Sequence, residues 1–127
     1  MKEVMAVIRM NKVNQTKQAL LKAGFPSITC RKVLGRGKKK IDYALIQEVL
    51  NGVELQDNQV AEQLSEGHRL IPKRLFTMVV KDEEAGKAAE VIMSVNSTGN
   101  PGDGKIFVLP LLDVIRVRTG ETGEEAI

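Results

Sequence analysis

Residues 98–105, Thr-Gly-Asn-Pro-Gly-Asp-Gly-Lys, carry the densest anion-binding chemistry in the chain. Gly102 and Gly104 can take positive φ and let the backbone approach a ligand closely, so successive N–H groups can turn inward around an anion. Lys105 adds a point charge at the rim, and a polyphosphate fits such a nest. The glycine spacing is not that of a Walker motif, and a plain turn between a helix and a strand would share the same local sequence. A second element is Val114-Ile-Arg-Val-Arg118. Read as a strand, it puts Arg116 and Arg118 on one face about 7 Å apart, where two guanidiniums could clamp phosphates. A solvated edge strand is the alternative. A third is Gly35-Arg-Gly-Lys-Lys-Lys40, which suits a phosphate, a solvated loop or a nucleic-acid backbone.

Chemistry of other kinds is poorly provided for. His68 is the single histidine. No nucleophile–base pair, metal-ligand spacing or paired acids with a diagnostic separation is visible, so the chain is not expected to be an enzyme and no metal-binding residue is assigned. The lone Cys30 cannot form an internal disulfide and suits a buried strand position. With no Trp, one Tyr and three Phe, stacking on nucleic-acid bases has little to work with, and no nucleic-acid partner is expected.

Charge is unevenly spread. Arg31, Lys32, Arg36, Lys38, Lys39 and Lys40 put six cations in ten residues without an acid among them. From Lys40 to Arg69 there is no intervening Lys or Arg, while Asp42, Glu48, Glu54, Asp57, Glu62 and Glu66 give six acids. Blocks of this kind make interaction surfaces rather than core. Residues 1–9 hold charges at positions 2, 3 and 9 and no long apolar run, so no secretory leader is expected. No window approaches the roughly 20 apolar residues of a membrane span. The expectation is a cytoplasmic protein with no membrane insertion.

The elements that must hold these residues follow from periodicity. Residues 3–10 read as a strand with apolar residues on both faces. Residues 12–23 read as a helix with Val13, Thr16, Leu20 and Ala23 on one stripe, widened by Leu21, and Gly24 just past its end. Residues 27–35 are a second strand. The order then recurs, with a strand over 73–80, a helix over 82–95 and a strand over 105–109. The helix stripe is Ala85, Ala88, Val91 and Ile92, and its first turn holds Asp82, Glu83 and Glu84, where the helix dipole favours acids. Residues 113–118 are expected to close the sheet after Pro110. Two strand–helix–strand units imply an α+β, ferredoxin-like βαββαβ sandwich, with both helices on one face of a four-stranded sheet. Val4, Ala6, Met78 and Val80 are expected on the other face, too apolar for open solvent, so self-association is expected. One domain over 1–127 fits the length. The stretch from 36 to 70 is far longer than ordinary connections, and its 41–69 portion is expected to be an arm that orders against a partner.

Taken together these residues resemble the PII family of nitrogen-signalling proteins across nearly the whole chain. The opening MKEVMAVIRMNKV is similar to the family's first strand and helix entry. VLGRGK at 33–38 resembles the base of its long T-loop, here about 36–70, and IPKRLFTMVV at 71–80 the strand leaving it. TGNPGDGKIFV at 98–108 resembles its nucleotide-binding B-loop, here about 98–105, and VIRVRTGE at 114–121 its closing strand. The resemblance implies a homotrimer with ATP or ADP in clefts between subunits and 2-oxoglutarate as effector. Val7, Thr29, Gly35, Gly37, Lys38, Val79, Gly102, Asp103, Gly104, Lys105, Arg116 and Arg118 match the nucleotide pocket. Lys73 matches the lysine that holds 2-oxoglutarate, with Lys39 and Lys40 beside it. Lys39 stands where the family usually has a glutamine for Mg²⁺ and 2-oxoglutarate, so a bound Mg²⁺ is left open. Pro101 and Thr77 depart from the family pattern, and Tyr43 does not fall where a uridylylated tyrosine would. The enlarged T-loop resembles PII-like proteins of archaeal nitrogen-fixation clusters. That branch implies control of nitrogenase by protein docking, in company with a PII-like paralogue. The alternative is control of an ammonium channel or glutamine synthetase.

Overall fold

The computed structural model describes residues 1–37 and 70–127. Expectations that fall on 38–69, including Lys38, Lys39, Lys40 and nearly all of the 36–70 loop, lie outside the described residues. Contacts divide the chain into two compact units, Met1–Val33 with Pro72–Ile127, and Leu34–Ile71. The first holds the core, both described helices and the glycine loop. The second is described only at its ends, which carry the last residues of β2 and the first of β3.

The element order is β1 (Lys2–Ile8), α1 (Val13–Lys22), β2 (Thr29–Gly35), β3 (Ile71–Val80), α2 (Ala85–Asn96) and β4 (Lys105–Pro110). The strands form one sheet in the order β2-β3-β1-β4. β1 runs antiparallel to both β3 and β4, the α+β ferredoxin-like arrangement. Both described helices are entered through a 3₁₀ turn, Met10–Lys12 and Asp82–Glu84. The three acids therefore precede α2 instead of forming its first turn.

α1 ends as its sequence requires. Gly24 takes φ 94°, the Phe25 N–H donates to the Leu20 carbonyl at 2.8 Å and the Gly24 N–H to the Leu21 carbonyl at 3.1 Å. This is the Schellman arrangement, and it turns Phe25 back to join Leu20 in the core. Leu21, expected to widen the apolar stripe, is instead exposed. It lies about 100° round the helix from Leu20, on the side away from the sheet.

The core joins Val4, Ala6, Ile8, Phe76, Met78 and Val80 of the sheet to Leu20, Ala85, Ala88 and Ile92 of the helices. This corrects the expectation that Val4, Ala6, Met78 and Val80 lie on the sheet's open face. The register pairs Val4 with Met78 and Ala6 with Phe76, all beneath the helices. The open face is the alternate set, Met5, Val7, Leu75, Thr77, Val79, Phe107 and Leu109. Phe107 and Leu109 remain 48% and 38% exposed. Strands apolar on both faces do not say which face the helices cover.

The second correction concerns 113–118. It adds no strand to this sheet; a single bridge links Ile115 to Thr122, and residues 117–119 form a turn. After Pro110 the chain folds on itself. The Arg116 N–H donates to the Glu121 carbonyl at 2.9 Å and the Gly120 N–H to the Arg116 carbonyl at 2.7 Å.

A buried polar bridge fixes where α2 ends. Thr16, fully buried in α1, donates its hydroxyl to the Lys12 carbonyl at 2.8 Å. It accepts from Asn96 Nδ2 at 3.0 Å, which also donates to the Ile92 carbonyl at 2.9 Å. Asn96 closes α2, so the bridge sets the point from which the glycine loop departs. Thr16→Val keeps the volume but removes the acceptor and leaves a buried amide short of a partner. Urea denaturation should show a loss of about 1–3 kcal/mol; an unchanged midpoint would remove the bridge from the account of stability.

Candidate functional site

The glycine loop, 97–104, is seated on β1 by one close approach. Gly104 takes φ 113°, and a Cβ built there would fall 1.9 Å from the Val7 carbonyl oxygen. No side chain fits. The next residue, Lys105, stands opposite Val7 in the β1–β4 register. Three predicted ligand residues, Val7, Gly104 and Lys105, are thus brought together at the sheet's edge. With Asp103, Ile92 and Asn96 they line a cavity of about 360 Å³.

The interior of the loop is organised around a carboxylate of the protein itself. Asp103 Oδ2 accepts from the Thr98 N–H at 2.7 Å and the Gly99 N–H at 3.1 Å, while Oδ1 accepts from the Thr98 hydroxyl and from Arg9 Nη1. The bonds from the Thr98 side chain and backbone, joined by those from Arg9 and Gly99, hold the Asp103 carboxyl well below the usual carboxylate range. Part of the expected anion nest is therefore filled from within, and Asp103 acts as the loop's staple.

Arg9 was not anticipated from sequence. Besides Asp103, it reaches the Pro101 carbonyl with Nη2 at 3.0 Å. Lys73 Nζ donates to the Gly102 carbonyl at 3.0 Å. A Cβ on Gly102 would lie 3.3 Å from Arg9 Nη2 and 3.8 Å from Lys73 Nζ, so two cations converge on that glycine. Burial pushes the Lys73 ammonium down, the Arg9 charge adds to this, and Asp103 opposes it. No local motif announces Arg9. Its sole signal is its position two residues past Val7, beyond the end of β1.

Other expected residues are not gathered. Val79 shares the open sheet face with Val7, but its partner in register is Glu3 while Val7 faces Leu75. That offset of four residues is about 13 Å. Thr29 begins β2 and Gly35 ends it; Gly37 is the last described residue before 38–69. Neither Gly35 nor Gly37 has a positive φ. Arg116 sits in the folded-back segment, with Nη1 3.5 Å from a Glu121 carboxylate oxygen and Nη2 on the Glu125 carbonyl at 3.2 Å. Arg118 is exposed in the adjoining turn, so the two arginines do not form the period-two pair expected of a strand. Among the described residues there is no group of three or more His, Cys, Asp or Glu placed to hold a metal. No described helix is long and apolar enough to cross a membrane.

Comparison with known proteins completes the picture. The family model described as nitrogen regulatory protein P-II matches residues 1–121. A Methanobacterium ivanovii protein, "Nitrogen fixation nifHD region GlnB-like protein 2", is 48% identical over 127 residues, covering 100% of this chain and 99% of its own length. The protein of the same description from Methanococcus maripaludis is 47% identical, with 100% of both chains covered. The Cereibacter sphaeroides "Nitrogen regulatory protein P-II" is 33% identical, again with 100% of both covered. Among solved structures, Arabidopsis thaliana PII bound to citrate superposes with a TM-score of 0.71 at 32% identity, covering 98% of this chain and 87% of the other.

Two measurements follow from the loop. Gly104→Ala forces a methyl onto the Val7 carbonyl, which either displaces the loop or unfolds the β4 edge. Amide exchange should speed up over 98–106, and unchanged protection would contradict the seating. The native pKa of Asp103 is depressed, so its contribution to loop order is complete above the ordinary Asp value of about 3.9. It is lost only as pH falls through the lower native value. Carboxyl NMR should find Asp103 still ionised where exposed aspartates are half protonated; a midpoint at or above theirs would rule out the staple.

Proposed function

This chain belongs to the nitrogen regulatory P-II family, and from that premise we propose that it is a signal protein, not an enzyme, that binds ATP or ADP and 2-oxoglutarate and controls nitrogenase by docking on it. The observation that carries the ligand half of this reading is the seating of Gly104 and Lys105 against Val7. It presents a lysine and a side-chain-free stretch of backbone at the rim of a cavity, chemistry that suits a polyphosphate. The nitrogenase half rests on the names of the relatives, which place them in nif gene regions.

The distribution of the remaining residues favours a site shared between copies. Val79 lies too far along the sheet to meet Val7 within one chain, and Arg116 belongs to a separate folded-back segment. A homotrimer, with adenine nucleotide in the clefts between subunits, would reunite them. The half-exposed Phe107 and Leu109 give the open sheet face a reason to be covered. Assembly with a PII-like paralogue would use the same face. 2-Oxoglutarate would be held by Lys73, helped by Lys39 and Lys40. The convergence of Arg9 and Lys73 on Gly102 suits a carboxylate ligand such as 2-oxoglutarate, and the Arabidopsis relative's citrate is likewise a polycarboxylate. Any Mg²⁺ would arrive on the phosphates, since the described side chains offer it no cluster of their own. Binding and discharge of these anions would alter the charge at the root of the long loop, the element proposed to read the partner in the cytoplasm.

Lys105→Ala removes one charge-assisted contact and leaves the β4 register intact. Calorimetry with ATP should show affinity weakened roughly tenfold or more, corresponding to about 1.5–3 kcal/mol. Unchanged affinity would overturn the placement of the phosphates.

A further inference from the structure

The folded-back segment holds Arg116 in a way its expected duty does not require. Nη1 lies 3.5 Å from Glu121 Oε2. Nη2 donates to the Glu125 carbonyl at 3.2 Å and to the Ile127 oxygen at 3.4 Å. Both terminal nitrogens of the guanidinium therefore lie within 3.5 Å of oxygens of the same segment, and these are the donors that a phosphate would engage.

The occupation is built by the backbone. The Ile115–Thr122 bridge and the Arg116 N–H bond to the Glu121 carbonyl place Arg116 and Glu121 across from each other. Gly120, at φ 74°, makes the turn between them. At the base, one Asp113 carboxylate oxygen accepts from the Val114 N–H at 2.8 Å and the Gly123 N–H at 3.0 Å. The 3₁₀ turn Gly123–Ala126 then buries Ala126 and carries the Glu125 carbonyl back under the guanidinium. The side chains of Arg116 and Glu121 are only 35% and 41% exposed.

We propose that Glu121 is an internal competitor for the anion site. Its carboxylate lies against the Arg116 guanidinium, and a polyphosphate must displace it to gain that arginine. This deepens the proposed function and rests on its reading of Arg116 as a phosphate ligand. Glu121 thereby sets affinity: a ligand of low charge gains too little from Arg116 to dislodge a carboxylate already in place, whereas a triphosphate can.

Calorimetry with ATP on the intact 127-residue chain tests both layers. Arg116→Ala tests the underlying reading, and unchanged ATP affinity in that variant would refute it and the inference with it. Given a loss there, Glu121→Gln, which keeps shape and removes charge, should tighten ATP binding by about two- to fivefold, the range of partly exposed ion pairs. The gain must vanish when Glu121→Gln is combined with Arg116→Ala, the mark of coupling between the two positions. Glu124→Gln, in the adjoining 3₁₀ turn and not among the partners of the Arg116 guanidinium, should leave affinity unchanged. Weaker or unchanged binding by Glu121→Gln would overturn the inference and make Glu121 a scaffold for Arg116. A gain that persists without Arg116, or is matched by Glu124→Gln, would overturn it in favour of a general field effect.

Discussion

The main chain at Gly104 runs so close to the Val7 carbonyl that no residue with a Cβ can stand there. This contact decides where the loop meets the sheet. It fixes the start of β4, brings Lys105 opposite Val7, and leaves residues 98–103 to close as a loop whose far end is set by α2. That end is held by Asn96 and Thr16, a buried pair joining the two helices. A steric limit at one end and a buried hydrogen bond at the other thus define the loop, and the candidate site residues sit between them.

Several of the described anion-binding groups are met by the protein's own oxygens. Loop N–H groups at Thr98 and Gly99 find the Asp103 carboxylate, and Arg116 finds Glu121 and two backbone oxygens. Arg9 and Lys73 take loop carbonyls. The physical reason is general: cations and inward-facing N–H groups are costly to leave unpartnered, so nearby oxygens of the protein itself meet them.

Much of this was legible in the residues themselves. The glycine loop, the described helices and strands and the end of α1 at Gly24 follow from spacing, turn chemistry and apolar periodicity, all local properties of the chain. The resemblance to the PII family, read from the loop at 98–108 and the segment at 114–121, is upheld by the comparisons. The long loop expected over about 36–70 lies largely outside the described residues.

What escaped the sequence has a common cause. β1 and β3 are apolar on both faces, so alternation could not say whether Val4 or Met5 lies under the helices; the crossing of α1 and α2 over one side decided it. The 113–118 segment has strand periodicity, but whether it joins a sheet depends on a partner strand, and beyond Pro110 it finds none within its own chain's sheet and folds back. Arg9 lies 94 residues from Asp103, and no local pattern encodes a contact that exists only once β4 has docked on β1. The sequence determined the elements and the chemistry they carry, because propensity and periodicity act over a few residues. The tertiary structure alone decided which faces meet and which charges pair, because those depend on packing between segments far apart in the chain.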